Sequence, residues 1–278
     1  MINILNRTYY LKAAIVINCI LFGVNCRAQT YSSGDFVKIP IPVAEGNKWL
    51  EYNQSALIPF EVSTVNGQLK ISKWKYISTD VYRMPEGMFL AVDEGEFGGG
   101  LYYKPDDSTK TRFYIDGKPT STNENLTYYR LVLKDKNIPA QTAGKYLSVC
   151  GGHVKKFFVY RDSLYFIEGI DHMGFDSGAL CKLECKGDSF KVVELLTFED
   201  APHAICVYGD KILIATFRNF YVIENWHKEL MFDHIFWYGF NPNSIAVDKD
   251  EKVYVGMFGF YTKIDLKKRI MELYKYDK

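Results

Sequence analysis

The sequence is short of the features that announce most chemistries. Histidine, cysteine and tryptophan are scarce, with five, six and four copies in 278 residues. Beyond the first thirty residues no apolar run approaches the roughly 20 residues that a membrane-spanning helix needs, so no span is expected in the remaining chain. Basic residues never run beyond Lys267-Lys268-Arg269. Without a basic stripe to neutralise phosphates, nucleic acid is not an expected partner. A G-x-S-x-G elbow and an H-E-x-x-H zinc helix are both missing, as is a cysteine beside a recognisable histidine partner motif. Paired carboxylates of the glycosidase kind leave no local pattern, since they can come from distant strands. Sustained helical periodicity and a long Ser/Gly/Pro linker are also lacking, which argues for one domain.

What the chain has in abundance is aromatic and apolar surface. Tyr and Phe dominate an aromatic content of 16%, and 47% of residues are hydrophobic. That bias favours half-buried strands and supplies enough apolar area for a large core. The N-terminus reads differently. Arg7 and Lys12 precede the apolar run Ala13 to Val24, and Cys26-Arg27-Ala28 offers small residues before Gln29. This is the pattern of a cleaved export signal over residues 1–28, with an apolar core too short for an anchor. Asn25 before Cys26 fits a lipid-attachment box poorly, so soluble release is expected, to the periplasm or the medium. Removing residues 1–28 takes away three basic residues and no acid, turning the formal charge from +1 to −2.

Residues 29–278 would keep Cys150, Cys181, Cys185 and Cys206. In an oxidising compartment one of the middle pair could bridge to Cys150 or Cys206. The segment Ala179 to Cys185 alternates like a strand, which separates Cys181 and Cys185 by about 13 Å at roughly 3.3 Å per residue, too far to clasp one ion. Small side chains on one strand face are the simpler reading of that pair.

Internal similarity decides the fold. "HAICVYGDKILIATFRNFYVIE" from His203 and "NSIAVDKDEKVYVGMFGFYTKID" from Asn243 superpose with one inserted residue, and "FFVYRDSLYFIEG" from Phe157 matches their first half. Each reads as strand, polar turn, strand. Leu164, Ile212 and Val253 are equivalent, at spacings of 48 and 41 residues. Asn219 and Gly259 fall at the same turn, two residue types that accept positive φ readily. "FEVSTVNGQLKISKW" carries an Asn66-Gly67 hairpin signal, "TYYRLVLKD" supplies a further strand, and Pro139, Pro202 and Pro242 fall between repeats. Four-stranded units of this period arranged radially make a β-propeller, here of about five or six blades. A β-sandwich followed by a small β domain is the competing all-β arrangement.

The glycines of "DEGEFGGGLYYK", residues 93–104, run into Leu101-Tyr102-Tyr103 rather than a helix N-terminus. A phosphate cradle is therefore not expected, and a tight hairpin that lets neighbouring backbone approach is. Asp93, Glu94 and Glu96 lack the regular acid spacing of a calcium loop. "DEGEFGGGLYY", "EGIDHMGFDSGALCKL" and "PNSIAVDKDEKVYVGMFGFYTKID" resemble segments of exported bacterial β-propeller repeat proteins, over most of residues 84 to 270. The resemblance implies a fold and no common reaction. The sequence departs from it at Phe258, where a basic residue would be expected.

Repeat geometry then nominates a site. His203 and Asn243 each lie four residues before the equivalent Val207 and Val247, and His153 lies six before Val159. In a propeller these positions enter the innermost strands beside the central channel, so the three should converge. His172, flanked by Asp171 and Asp176, is a further rim candidate; His227 and His234 have no assigned role. Among loop aromatics, Trp237 and Tyr238 are the chosen ligand anchors, with Phe217, Phe258 and Trp226 as others. No metal and no cofactor is assigned to this set. The expected role is an envelope binding module for a protein, peptide or glycan, monomeric and using the channel face. The alternative is a hydrolase or lyase with a His-lined site at the channel mouth, and a structural or immunity-type protein that occludes another protein is the third option.

Overall fold

A computed structural model describes residues 30–56, 58–76, 79–95, 98–121, 146–172 and 175–277. The expected export signal and the strand proposed at "TYYRLVLKD" lie outside the described residues, as does Pro139.

Strands of the described residues form five sheets, each built mainly from consecutive antiparallel neighbours. Blade 1 holds β3 (Phe60–Val65) and β4 (Gln68–Lys73), with the two-residue β1 (Thr30–Tyr31) on the outside. Blade 2 runs β5 (Thr79–Met84), β6 (Gly87–Asp93), β7 (Gly99–Pro105) and then β10 (Leu147–Gly151). Blade 3 runs β11 (Val154–Tyr160), β12 (Ser163–His172), β13 (Phe175–Lys186) and β14 (Ser189–Phe198). A hairpin of β8 (Arg112–Ile115) and β9 (Lys118–Ser121) extends that sheet, with β8 parallel to β14. Blade 4 is β15 (Pro202–Tyr208), β16 (Lys211–Thr216), β17 (Phe220–Glu224) and β18 (His227–Phe232). Blade 5 is β19 (Ser244–Val247), β20 (Val253–Met257), β21 (Phe260–Asp265) and β22 (Ile270–Tyr276), closed by the N-terminal strand β2 (Phe36–Ile39) against β22.

The first strands of successive sheets pack side by side where β11 meets β15, β15 meets β19 and β19 meets β3, while β11 also packs on β5 and β6. One cavity is lined by residues of β3, β5, β11, β15 and β19 together. The described residues thus form a β-propeller of five blades around a central channel. The repeat equivalences hold in register, because Val159 pairs Leu164, Val207 pairs Ile212 and Val247 pairs Val253. Cores lie between blades: Leu213, Phe220, Val255, Phe260 and Trp237 fill one cluster, and Phe89, Tyr103, Phe113, Phe166 and Phe190 another.

Several turns follow their residues. Asn66 and Gly67 adopt φ of +53° and +73°, as a two-residue hairpin loop requires. Gly259 likewise has φ +75°. Asn219, its repeat counterpart, is not among the positive-φ residues and works through its side chain instead: Nδ2 donates to Asp200 Oδ1 at 3.1 Å, and Oδ1 accepts from His234 N at 2.9 Å. One helix also appears that the pattern had not suggested, α1 (Asn47–Ser55). It is too short to leave a periodic signature, and Trp49 holds it down, buried with its Nε1 donating to Phe236 O at 2.6 Å.

The four cysteines of the described residues are free, so the alternative of a bridge from Cys181 or Cys185 to Cys150 or Cys206 does not form. Cys181 is buried as the strand reading required, whereas Cys185 is exposed near the end of β13. The Gly98–Gly100 stretch forms the β6–β7 hairpin and not a ligand cradle. A Cβ on Gly99 would meet Val92 O at 2.2 Å and Gly152 O at 2.8 Å, and one on Gly100 would meet Cys150 O at 2.7 Å.

Candidate functional site

The channel mouth opens into a cavity of about 640 Å³. Its polar wall is a chain of side chains crossing three blades. His153 Nδ1 lies 3.2 Å from Asp93 Oδ1. Lys155 Nζ stands between two carboxylates, 3.9 Å from Asp93 Oδ2 and 3.8 Å from Asp171 Oδ1. Asp171 Oδ2 is 2.9 Å from His203 Nε2. Local structure explains each position. Asp93 ends β6 and caps the turn by accepting from Gly95 N at 3.1 Å. His153 and Lys155 flank the start of β11, after a turn through Gly151 and Gly152. Asp171 sits near the tip of the long β12–β13 hairpin, and His203 is the second residue of β15.

The placement of His203 depends on the junction between blades 3 and 4. Gly169 and Gly178 pair across the β12–β13 ladder, and a Cβ on either would come within 2.7 Å or 2.1 Å of Pro202 Cδ. Their bareness lets Pro202 seat against the sheet. Asp176 adds a tether, accepting from Ala201 N at 2.9 Å. Phe217 then stacks on the His203 ring at a centroid distance of 5.8 Å.

Burial, with Lys155's charge, holds His203 below the ordinary imidazole value of 6.5, and the bond to Asp171 only partly offsets this. Asp171 shows the opposite balance. Burial pulls its carboxyl upward, but the hydrogen bond from His203 and the Lys155 ammonium outweigh burial, so it stays below 3.8. The result is a neutral imidazole that donates through Nε2 to a charged carboxylate, leaving Nδ1 as an acceptor.

The cavity is also lined by Asn243, just before β19, Ser244 at its start, Glu61 from β3 and Asp80 from β5. Lys156 Nζ lies 3.5 Å from Asp80 Oδ1. An aromatic edge closes the cavity: Trp74 is edge-on to Tyr76 at 5.7 Å and to Phe258 at 6.1 Å. Phe258 thus contributes a ring where the family resemblance suggested a basic group.

The sequence-nominated residues separate into three groups. His203 and Asn243 line the same cavity, and His153 stands directly behind Asp93 on its wall. His172 follows Asp171 on the opposite side of an alternating strand, pairs with Phe175, and is not among the lining residues. Tyr238 is set back from the cavity, stacked on Trp49 at 4.8 Å, donating to Glu45 Oε1 at 2.9 Å and reaching His203 only through Phe217. Trp237 is fully buried in the core between blades 4 and 5, so a ligand cannot reach it. Phe220 meets it in a T-shaped contact at 6.2 Å, in place of the expected contact with a partner. Lys155, Asp80, Glu61, Trp74 and Tyr76 were missed. Lys155 lies two residues beyond His153 and shares its strand parity, a signal that could have found it.

No family model and no curated protein matches the sequence. Among solved structures, similarity extends to the extracellular domain of a hybrid two-component system from B. thetaiotaomicron, at TM-score 0.38 and 12% identity over 77% of this chain. This chain spans 23% of the length of that solved domain. A luciferin-regenerating enzyme gives TM-score 0.39 and 9% identity, covering 77% of this chain and 75% of the other. Streptogramin B lyase gives 0.30 and 12%, covering 79% and 65%.

Proposed function

We propose that this chain is an exported binding module that takes its ligand, a protein, peptide or glycan, at the mouth of the propeller channel. The observation that carries this reading is the single cavity to which all five blades contribute charged, amide and aromatic side chains. A rigid concave site with a few convergent polar groups is the usual form of a ligand pocket. Residues 1–28 serve as the export signal, so the working protein begins near Gln29, acts as a monomer and resides in the periplasm or outside the cell. Immobilised protein presented with peptide and glycan libraries tests the reading. Capture should fall at least tenfold in Asp171→Asn and Asp80→Asn variants of unchanged melting temperature, and capture indifferent to both would overturn it.

A second reading rests on one bond, that between His203 and Asp171. A neutral imidazole oriented by a carboxylate is the arrangement of a general base, suited to a hydrolase or lyase. Mass spectrometry of captured ligand separates the two. Chemical conversion that stops in a folded His203→Ala variant would favour catalysis, whereas recovery of intact ligand favours binding.

A further inference from the structure

We infer that the ligand of the channel mouth is an uncharged oligosaccharide. This inference rests on the binding reading above and names its substrate class. The first observation is electrostatic. Charges around the cavity are largely answered inside the protein: Lys155 by Asp93 and Asp171, Lys156 by Asp80, and Glu61 by the Ser72 hydroxyl, which donates to it at 2.8 Å. Among the described charged residues of the lining only Lys75 and Glu61 have no ion-pair partner, and Glu61 is met by a neutral hydroxyl, so a strongly charged ligand gains little there against the loss of its own hydration. A neutral polar ligand avoids that loss.

The second observation concerns hydrogen-bond direction. Val62 N donates to Ser244 Oγ at 2.8 Å, so the Ser244 hydroxyl proton turns outward and donates to Asn243 Oδ1, also at 2.8 Å. This relay fixes the amide orientation. Asn243 Nδ2 is left as a buried donor without a protein acceptor, in a residue that lines the cavity. The same cavity is lined by the acceptor carboxylates of Asp171, Asp93 and Asp80. A hydroxyl group both accepts and donates, and a row of hydroxyls satisfies such an alternation where a purely anionic or cationic group satisfies only half.

The third observation is the apolar edge. Trp74 is half-buried, while Tyr76 is 63% exposed. Their rings stand beside the polar wall and offer flat surface to the C–H face of a sugar ring. A volume of about 640 Å³ accommodates a short oligosaccharide, within the range of roughly 300–1,000 Å³ usual for small-ligand sites.

Isothermal calorimetry on the folded protein tests the inference with three panels: neutral oligosaccharides, uronic-acid oligosaccharides, and short peptides of either charge. The variants are Trp74→Ala, Asn243→Asp, which keeps the shape and loses the donor, and Tyr114→Ala as a control on β8. Binding of a neutral saccharide, weakened at least tenfold by the first two variants and not by the third, supports it. A peptide or uronate bound instead, and weakened by the same variants, overturns the carbohydrate inference while the channel-mouth reading stands. Binding that ignores both cavity variants, with melting temperatures unchanged, overturns both. A failure of all three panels overturns the carbohydrate inference alone.

Discussion

His203 shows how one side chain ties stability to acidity. Its side chain is 13% exposed and its folded-state pKa lies below 6.5, so the unfolded chain takes up this proton first as the solution is acidified. The resulting stability is complete above pH 6.5 and is lost as the pH falls through that value toward the folded pKa. A single group sets a slope of at most about 1.4 kcal/mol per pH unit. Urea denaturation between pH 7.5 and 5 should show stability declining with acid, and the decline should be shallower in His203→Gln. An equal slope in both proteins would contradict the neutral assignment. The thiols bear on reactivity at the same scale. Burial, aided by Glu168, pushes Cys150 up to about 12, and burial also raises Cys181. Burial raises Cys185 too, to about 11, so the three thiols differ chiefly in access, and alkylation at pH 8 should label the exposed Cys185 before either.

Strands and their junctions show what the sequence could and could not reveal. The hairpin turns at Asn66-Gly67 and Arg161-Asp162 were legible because turn chemistry is local, and both pairs adopt positive φ. The paired glycines at 169 and 178 were not legible as a blade junction, since the atom that fills their space, Pro202 Cδ, arrives from another blade. Gly178→Ala should therefore cost about 2–3 kcal/mol by overpacking, although nothing within β13 alone forbids it. The displaced Pro202 should also carry His203 with it, so ligand binding should weaken alongside the melting temperature. In blade 4 the junction is polar. Asp200, 2% exposed, accepts from Thr216 Oγ1 at 2.6 Å, Arg218 N at 2.5 Å and Asn219 Nδ2 at 3.1 Å. Asp200→Ala leaves Arg218 N without its acceptor and Thr216 Oγ1 and Asn219 Nδ2 with only Asn219 O and Tyr221 Oη, and should lower the unfolding free energy by about 2–3 kcal/mol, read from chemical denaturation.

At the scale of the whole molecule, repetition told the fold and concealed the closure. Repeats with a period of 41 and 48 residues placed His203 and Asn243 at equivalent entries, and the ring brings them to one cavity. The same logic could not find Asp80, Glu61 or Trp74, because blades 1 and 2 depart from the repeat, nor could it foresee that β2 leaves the N-terminal end of the described chain to complete blade 5. A ring of sheets opens most easily where its ends meet, and here the seam is the β2–β22 ladder reinforced by aromatic contacts. Phe36 lies 5.0 Å from Phe60, 5.0 Å from Tyr261 and 5.4 Å from Tyr276, joining blade 5 to blade 1. Removing that ring should cost about 3–5 kcal/mol, or roughly 10 °C in melting temperature for a domain of this size. Because the seam also shields the edge of β22, loosening it exposes unpaired backbone that can recruit another chain. Phe36→Ala should thus show faster hydrogen exchange in β22 and concentration-dependent association in sedimentation. Phe36→Leu, which keeps most of the buried volume, should recover most of the loss. If Phe36→Ala instead melts near the wild type and associates no more than it does, the ring is held by its inner strands and the seam contributes little.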